Sequence, residues 1–166
     1  MPLINKHEPD TFITSILEHI IEEESPKIKK VIAKRNLTKE VFLERPIPPF
    51  DIKVNSSGVT LDPKYFETLD PLASTLGAVN CSASHYLPPN SQLPWHTNSD
   101  TAGKRLYYTY GDGSGIFRYK DYNTDKIHED YDEQGWTVRE FYIPSDQLFW
   151  HTVYAGTGRH TFGFRF

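Results

Sequence analysis

The sequence predicts a mainly β protein with helices near its N-terminus, arranged as an antiparallel sandwich or barrel. An amphipathic helical stretch occupies residues 10–24. From Val79 onward, short runs of β-prone residues alternate with turns, without intervening helices, as in sandwiches and barrels. Aromatic residues make up 14% of the chain, with ten Tyr and ten Phe, and most lie in the last hundred residues. This enrichment favours strands and a cavity lined by aromatic rings.

The composition excludes several classes of protein. A chain of 166 residues is long enough for one domain with its own core. The net charge of −4 and the lack of a basic block argue against binding to a nucleic-acid backbone. The single cysteine, Cys81, excludes a disulfide framework and fits a reducing compartment. We find neither a signal peptide nor a membrane-spanning stretch, so we expect a cytoplasmic protein.

The N-terminal region is predicted to be helical. Asp10 can cap a helix whose apolar residues share one face, and the residue before Pro26 disfavours helix, so we expect the helix to end at Ser25-Pro26. A shorter second helix is predicted through Ile28, Val31 and Ile32. Both helices are expected to pack on a sheet. The apolar residues of the first helix are Phe12, Ile13, Ile16, Leu17, Ile20 and Ile21.

Two breaks separate this region from the strands. The proline-rich stretch at 46–50 predicts a connection, and Asn55-Ser56-Ser57-Gly58 predicts a turn between runs that could pair as a hairpin. Too few residues precede the first break to form a separate core. The chain is therefore predicted to be one domain over residues 1–166, with a helical cover over 1–50 and a β core over 79–166.

The β core is predicted to contain several short strands. The first spans Asn80 to Tyr86, and the aromatic runs 105–110 and 116–119 are predicted to form a hairpin across the glycine-rich turn 111–115. Later strands are predicted at 136–143, 147–154 and 160–166.

Two Trp-His pairs, Trp95-His96 and Trp150-His151, suggest an iron site. A mononuclear Fe(II) site takes two neutral imidazoles and one carboxylate, with open positions for substrate and O₂. Residues two apart in a strand face the same side, so His96 and Asn98 would enter one cavity, and His151 could join them from a neighbouring strand. Arg159, facing in from the next strand, could hold the distal carboxylate of a dicarboxylic cosubstrate.

These features resemble the 2-oxoglutarate/Fe(II)-dependent dioxygenases of the prolyl-hydroxylase type. The resemblance covers about half the chain, residues 79 to 166. It is carried by His96-x-Asn98, Trp150-His151-x-Val153 and Gly158-Arg159, together with the runs Gly103-Lys104-Arg105-Leu106-Tyr107-Tyr108 and Gly115-Ile116-Phe117-Arg118-Tyr119.

The resemblance implies a double-stranded β-helix, the cupin-like jelly roll, with N-terminal helices packed against its larger sheet. It implies that His96 and His151 bind Fe(II) and that Arg159 pairs with the C5 carboxylate of 2-oxoglutarate. Tyr86, Tyr108 or Tyr110 would help to hold this cosubstrate. The implied reaction uses O₂ and couples oxidative decarboxylation of 2-oxoglutarate to hydroxylation of a C–H bond, in a prolyl residue, another protein side chain or a small molecule.

One position departs from the family pattern. Asn98 stands where the family has Asp or, less often, Glu, and a neutral amide oxygen is a weaker ligand. Three alternatives follow: Asn98 coordinates through its oxygen, Asp100 replaces it if the chain turns after His96, or the fold is kept and the metal chemistry is lost. The last alternative predicts a non-catalytic jelly-roll binding module. Arg165 competes with Arg159 as the cosubstrate anchor.

Overall fold

A computed structural model describes residues 3–33, 36–49 and 58–166. The predicted turn at Asn55-Ser56-Ser57-Gly58 therefore lies almost wholly outside the described residues, as does the end of the proline-rich stretch at Phe50. Within the described ranges, none of the helices is both long and apolar enough to cross a membrane. The helices are α1 (Thr11–Ile28), α2 (Lys39–Glu44) and α3 (Phe66–Thr75), with a short 3₁₀ turn at Pro63–Tyr65.

The chain is mainly β, as predicted, and its strands form two antiparallel sheets. The larger sheet has six strands in the order β1-β8-β5-β10-β3-β2, and the smaller has four in the order β4-β9-β6-β7. The strands are β1 (Asn5–His7), β2 (Val59–Thr60), β3 (Asn80–Leu87), β4 (Ser91–His96), β5 (Gly103–Asp112), β6 (Ile116–Lys120), β7 (Ile127–Tyr131), β8 (Gln134–Ile143), β9 (His151–Ala155) and β10 (Arg159–Arg165).

The pairing of strands β3 to β10 is nested. The first of these eight strands pairs with the last, the second with the second from last, and so on inward, giving β3·β10, β4·β9, β5·β8 and β6·β7. These pairs alternate between the two sheets, so the chain repeatedly crosses from one sheet to the other. This pairing brings β4 and β9, which carry the histidines of the two Trp-His pairs, side by side.

The predicted N-terminal helix forms and is capped as expected, but it ends later than predicted. Asp10 accepts hydrogen bonds from the backbone N–H groups of Phe12 and Ile13. The helix continues through Pro26 to Ile28, and the prediction of a separate helix through Val31 and Ile32 is wrong. Ile28 is buried in the same core as the rest of α1, and this burial offsets the hydrogen bond that a proline cannot make.

Helix α1 covers the outer face of the six-stranded sheet. Its buried face (Ile13, Leu17 and Ile20) joins a core cluster with the outward-facing residues Tyr108 and Phe162 of the sheet. A second cluster fills the space between the two sheets. Its buried members include Phe117, Phe141, Ile143, Phe149 and Val153.

The predicted hairpin between residues 105–110 and 116–119 is wrong. Strand β5 pairs with β8 and β10 in the larger sheet, whereas β6 pairs with β7 and β9 in the smaller one. The glycine-rich segment therefore links two sheets, and Gly113 adopts a φ of 92° in it. The true partner of β6, strand β7 (Ile127–Tyr131), is largely exposed and carries charged residues, so its sequence lacks the apolar pattern of a core strand.

Candidate metal centre and anion site

A cavity of about 230 Å³ lies between the two sheets. This is smaller than the roughly 300–1,000 Å³ of pockets for drug-sized ligands, and it suits a small molecule. Both sheets contribute to its wall, because strand alternation turns every second residue toward the opposite sheet. The lining residues that matter for the site are His85, His96, Asn98, Tyr107, Thr109, Phe117, Arg139, His151, Val153, Arg159 and Thr161.

The structure brings His96 and His151 together. His96 ends β4 and His151 begins β9, and the two residues are direct partners in the antiparallel pairing. Their ring centroids are 4.1 Å apart, with the ring planes inclined at 57°. Two imidazoles bound at about 2.1 Å and at right angles to one metal ion have centroids roughly 4.5 Å apart. The separation of the two rings is thus close to that of two imidazoles on one ion.

A backbone contact defines which ring nitrogen of each imidazole carries the hydrogen. Nδ1 of His96 lies 2.7 Å from the carbonyl oxygen of Pro94, and Nδ1 of His151 lies 2.8 Å from that of Phe149. A carbonyl only accepts, so each Nδ1 donates its hydrogen and Nε2 is the acceptor in the neutral ring. Burial, followed by the proximity of His96, holds the pKa of His151 well below its usual value, so His151 stays neutral at pH 7.

Asn98 also reaches this pair. It lies beyond the end of β4 with a φ of 53°, and its backbone carbonyl accepts from Thr101 N–H across a turn. Its side-chain Nδ2 donates to Nε2 of His151 at 3.2 Å. A half-turn of the amide would present Oδ1 at that point instead. Asp100, by contrast, is exposed in the same turn and does not line the cavity.

The donors present fit a divalent transition metal, with one deficit. Imidazole nitrogens and an amide oxygen are among the ligand types that divalent transition metals accept. No third His, Cys, Asp or Glu joins the two histidines as a metal-binding group anywhere in residues 3–33, 36–49 and 58–166. An imidazole or an amide carries no charge when it binds a metal, so a cation held by these three groups would need its negative charge from an anionic ligand.

Arg159, and not Arg165, lines the cavity. Arg159 begins β10 and is almost fully buried, with 4% of its surface exposed. Its Nε and Nη2 donate to the two carboxylate oxygens of Asp132 at 2.7 and 3.2 Å, and its Nη1 donates to the Thr161 hydroxyl at 3.1 Å. The guanidinium group thus faces the cavity with its Nε and Nη2 already paired with Asp132.

A second arginine continues this charged network. Arg139 donates through Nη1 to Asp132 at 2.7 Å and through Nε to Asp130 at 2.6 Å. Nζ of Lys6 lies 3.2 Å from Oδ1 of Asp130, the oxygen that Arg139 does not contact. Burial would raise the pKa of Asp132, but Arg159 and Arg139 hold it at about 2, so its carboxylate is ionised at neutral pH.

The three predicted cosubstrate tyrosines lie on the other face of the larger sheet. Tyr108 belongs to the core under α1, and Tyr86 and Tyr110 line a separate surface pocket of about 550 Å³ on that side. Tyr108 and Tyr110, which the resemblance assigned to the cosubstrate site, are therefore one residue out of register with the cavity. Strand alternation places Tyr107 and Thr109 in the cavity instead.

Two further groups of cavity residues were not predicted from the sequence. Thr109 and Thr161 are cross-strand partners whose hydroxyl oxygens are 3.3 Å apart. His85 pairs with Thr161 on the other side and faces the same cavity. Burial, with Arg159 and His96 nearby, lowers the pKa of His85 to about 4. Alternation from Arg159 would have found Thr161, but His85 and Thr109 required the strand register.

Comparison with known proteins adds no assignment. Neither a protein-family model nor a curated protein matches this sequence.

Proposed function

We propose that the protein is an Fe(II)- and 2-oxoglutarate-dependent dioxygenase of the prolyl-hydroxylase type. One observation carries the proposal: the imidazoles of His96 and His151, whose ring centroids are 4.1 Å apart, share a small cavity with the buried guanidinium of Arg159. The first two suit the metal, and the third suits an anionic cosubstrate.

The fold proposed with this function is the double-stranded β-helix, or jelly roll. The nested pairing of β3 to β10 supports it, because a long hairpin folded over on itself gives pairs that alternate between two facing sheets. In such a fold, residues that lie far apart in sequence meet at the same end of the smaller sheet. His96 and His151 meet in this way across β4 and β9.

Three side chains are proposed to hold the metal. His96 and His151 would bind through Nε2, with their Nδ1 hydrogens held by backbone carbonyls, and Asn98 would turn its amide to bind through Oδ1. Fe(II), when bound there, supplies the activation of O₂ that hydroxylation of a C–H bond requires. Asp100 is a weaker candidate for the third position, since it is exposed in the turn.

The remaining cavity residues are proposed to bind and shield the cosubstrate. Arg159 would pair with its distal carboxylate, and the hydroxyls of Thr161 and Thr109 lie beside that guanidinium as further hydrogen-bonding groups. Leu93, Phe117 and Val153 form an apolar wall around the same space. By excluding water, such a wall strengthens the ion pair between a ligand carboxylate and Arg159.

The substrate is proposed to be a small aliphatic group, such as a prolyl or other protein side chain, or a small molecule. A recess of about 220 Å³ adjoins the cavity and shares His85 and Leu93 with it. Its other lining residues are Gly58, Val59, Thr60 and Leu87, which are small or apolar. An aliphatic group in this recess would adjoin the cavity that His96 and His151 line.

The test is an anaerobic titration of the protein with Fe(II) and 2-oxoglutarate, monitored by visible absorption. A weak charge-transfer band that saturates with both components is the expected result. His96→Ala and His151→Ala should each abolish the band, because each removes one of two well-defined ligands. A folded wild-type protein that gives no band would contradict the proposal.

A non-catalytic binding module is the second candidate, and a specific contact favours it. Asn98 already satisfies Nε2 of His151 through a hydrogen bond, and Asp132 already pairs with Arg159. A cavity whose polar groups are satisfied internally needs no metal to be stable. Binding of 2-oxoglutarate or another dicarboxylate without any dependence on metal would support this candidate over the first.

A further inference from the structure

The contact between Arg159 and Asp132 has the form of a ligand complex. A guanidinium recognises a carboxylate best when two N–H groups meet two oxygens, and Asp132 meets Nε and Nη2 of Arg159 in this way. The two side chains are 4% and 2% exposed, so water weakens their attraction little. Asp132 thus takes the edge of Arg159 that a carboxylate ligand would otherwise use.

The second arginine of the cavity offers a ligand no substitute. Arg139 uses Nε and Nη2 on the carboxylate and the backbone carbonyl of Asp130, and Nη1 on Asp132. The two guanidinium groups and the two carboxylates of this network together carry no net charge. A carboxylate that binds Arg159 must therefore share it with Asp132.

We propose that Asp132 is an internal competitor for Arg159 and limits how tightly the cavity holds the distal carboxylate of a dicarboxylic ligand. The inference rests on the proposed function, since it takes 2-oxoglutarate as that ligand. Asp132 is then the residue that sets cosubstrate affinity, although it contacts neither the metal position nor the 2-oxo acid end of the ligand.

Gly115 is what allows Asp132 to take this position. A Cβ atom at residue 115 would overlap Oδ2 of Asp132, and would lie 2.8 Å from its Cγ and 2.9 Å from Nε of Arg159. The backbone carbonyl of Gly115 also accepts from Asp132 N–H at 2.9 Å. The loop between β5 and β6 therefore fits closely around the competing carboxylate.

The experiment compares three proteins: wild type, Asp132→Asn and Asp130→Asn. Asp130→Asn is the matched control, because it removes the same charge from the same network but from a carboxylate that contacts Arg139 rather than Arg159. Mn(II) replaces iron, and binding is measured by calorimetry. The ligands are 2-oxoglutarate and 2-oxobutyrate, which keeps the 2-oxo acid end and lacks the distal carboxylate.

Asp132→Asn should bind 2-oxoglutarate at least about tenfold more tightly than wild type, because the ligand carboxylate would then neutralise an otherwise unpaired guanidinium. Asp132→Asn should bind 2-oxobutyrate with an affinity within about threefold of wild type, because this ligand has no carboxylate that competes for Arg159. Asp130→Asn should bind 2-oxoglutarate within about threefold of wild type, because Asp130 does not contact Arg159. If Asp132→Asn does not fold alone, 2-oxoglutarate should restore its folded state, as followed by circular dichroism.

The outcomes separate this inference from the function on which it rests. Unchanged or weaker binding of 2-oxoglutarate by folded Asp132→Asn, or an unfolded variant that the ligand does not rescue, overturns the inference and leaves the proposed function standing. Absence of 2-oxoglutarate binding in wild type and in both variants overturns the two together.

Discussion

Replacing Asn98 by Asp is the sharpest test of the proposed metal centre. The backbone at this position has a φ of 53°, a conformation that Asp and Asn tolerate better than most residues, so the change carries little backbone cost. It converts a neutral candidate ligand, whose amide lies 3.2 Å from Nε2 of His151, into a carboxylate. The substitution therefore changes the charge of the site with little change in its shape.

The expected magnitude follows from this geometry. Opposite unit charges about 4 Å apart attract by about 4 kcal/mol at an effective dielectric constant of about 20, and a divalent ion attracts a carboxylate more strongly. Part of this gain is lost in removing water from the carboxylate. We expect the dissociation constant for Mn(II) to fall at least about a hundredfold, which corresponds to about 2.7 kcal/mol.

The metal-free variant should be less stable than wild type. The carboxylate introduced by Asn98→Asp cannot donate to His151, so the hydrogen bond between the two side chains is lost, at a cost of about 1 kcal/mol. A carboxylate facing the Nε2 lone pair is also repelled unless His151 takes up a proton. The variant should therefore show a lower melting temperature without metal and a larger rise in melting temperature when Mn(II) is added.

Calorimetric titration with Mn(II) and thermal unfolding with and without the ion measure both effects. Asn98→Gly is the matched control, because glycine keeps the positive φ and removes the ligand, and it should bind Mn(II) more weakly than wild type. An Asn98→Asp affinity within about threefold of wild type, with a marked loss in Asp100→Asn, would refute the assignment of position 98 and favour Asp100.

Two further predictions concern stability. In urea unfolding, Gly115→Ala should lower the free energy of unfolding by about 3 kcal/mol or more, because the added methyl group displaces Asp132 from two buried arginines. Gly111→Ala is the control. Its Cβ would meet a carbonyl oxygen at 3.6 Å, and it should cost less than about 1 kcal/mol. Burial holds the pKa of His160 at about 4 and that of His151 well below 6.5, so the unfolded chain binds more protons below pH 6.5. The free energy of unfolding should therefore fall on acidification from pH 6.5 toward 4, by up to about 1.4 kcal/mol per pH unit for each histidine. A urea unfolding midpoint that does not change across that pH range would contradict these burial effects.

The sequence predicted what depends on local pattern. The capped helix at Asp10, the mainly β core and most strands after Val79 follow from residue spacing and turn residues, and all are present. The proposal that His96 and His151 meet also required only that their strands pair, which they do.

What the sequence could not supply depends on register and on the choice of partner strand. Tyr107 and Tyr108 differ by one position, and nothing in an aromatic run tells which of them faces the cavity. The glycine-rich segment before β6 could form a hairpin turn or a link between sheets, because the same turn residues suit both. Arg159 and Asp132 lie 27 positions apart, and no pattern in the sequence around either residue indicates that they pair.

The position of β10 has a consequence for how this protein folds. This strand, residues 159–165, lies between β5 and β3 in the middle of the larger sheet, although it follows both in the sequence by many residues. The two halves of that sheet cannot join until β10 inserts between them, and closing such long loops before any contact is gained makes folding slow. A ribosome-bound chain that lacks β10 would expose two unpaired strand edges, and it would also lack Arg159 and Thr161. The cavity and the sheet should therefore be completed in one step, so that a protein able to bind the proposed anionic ligand is also one whose folding is finished.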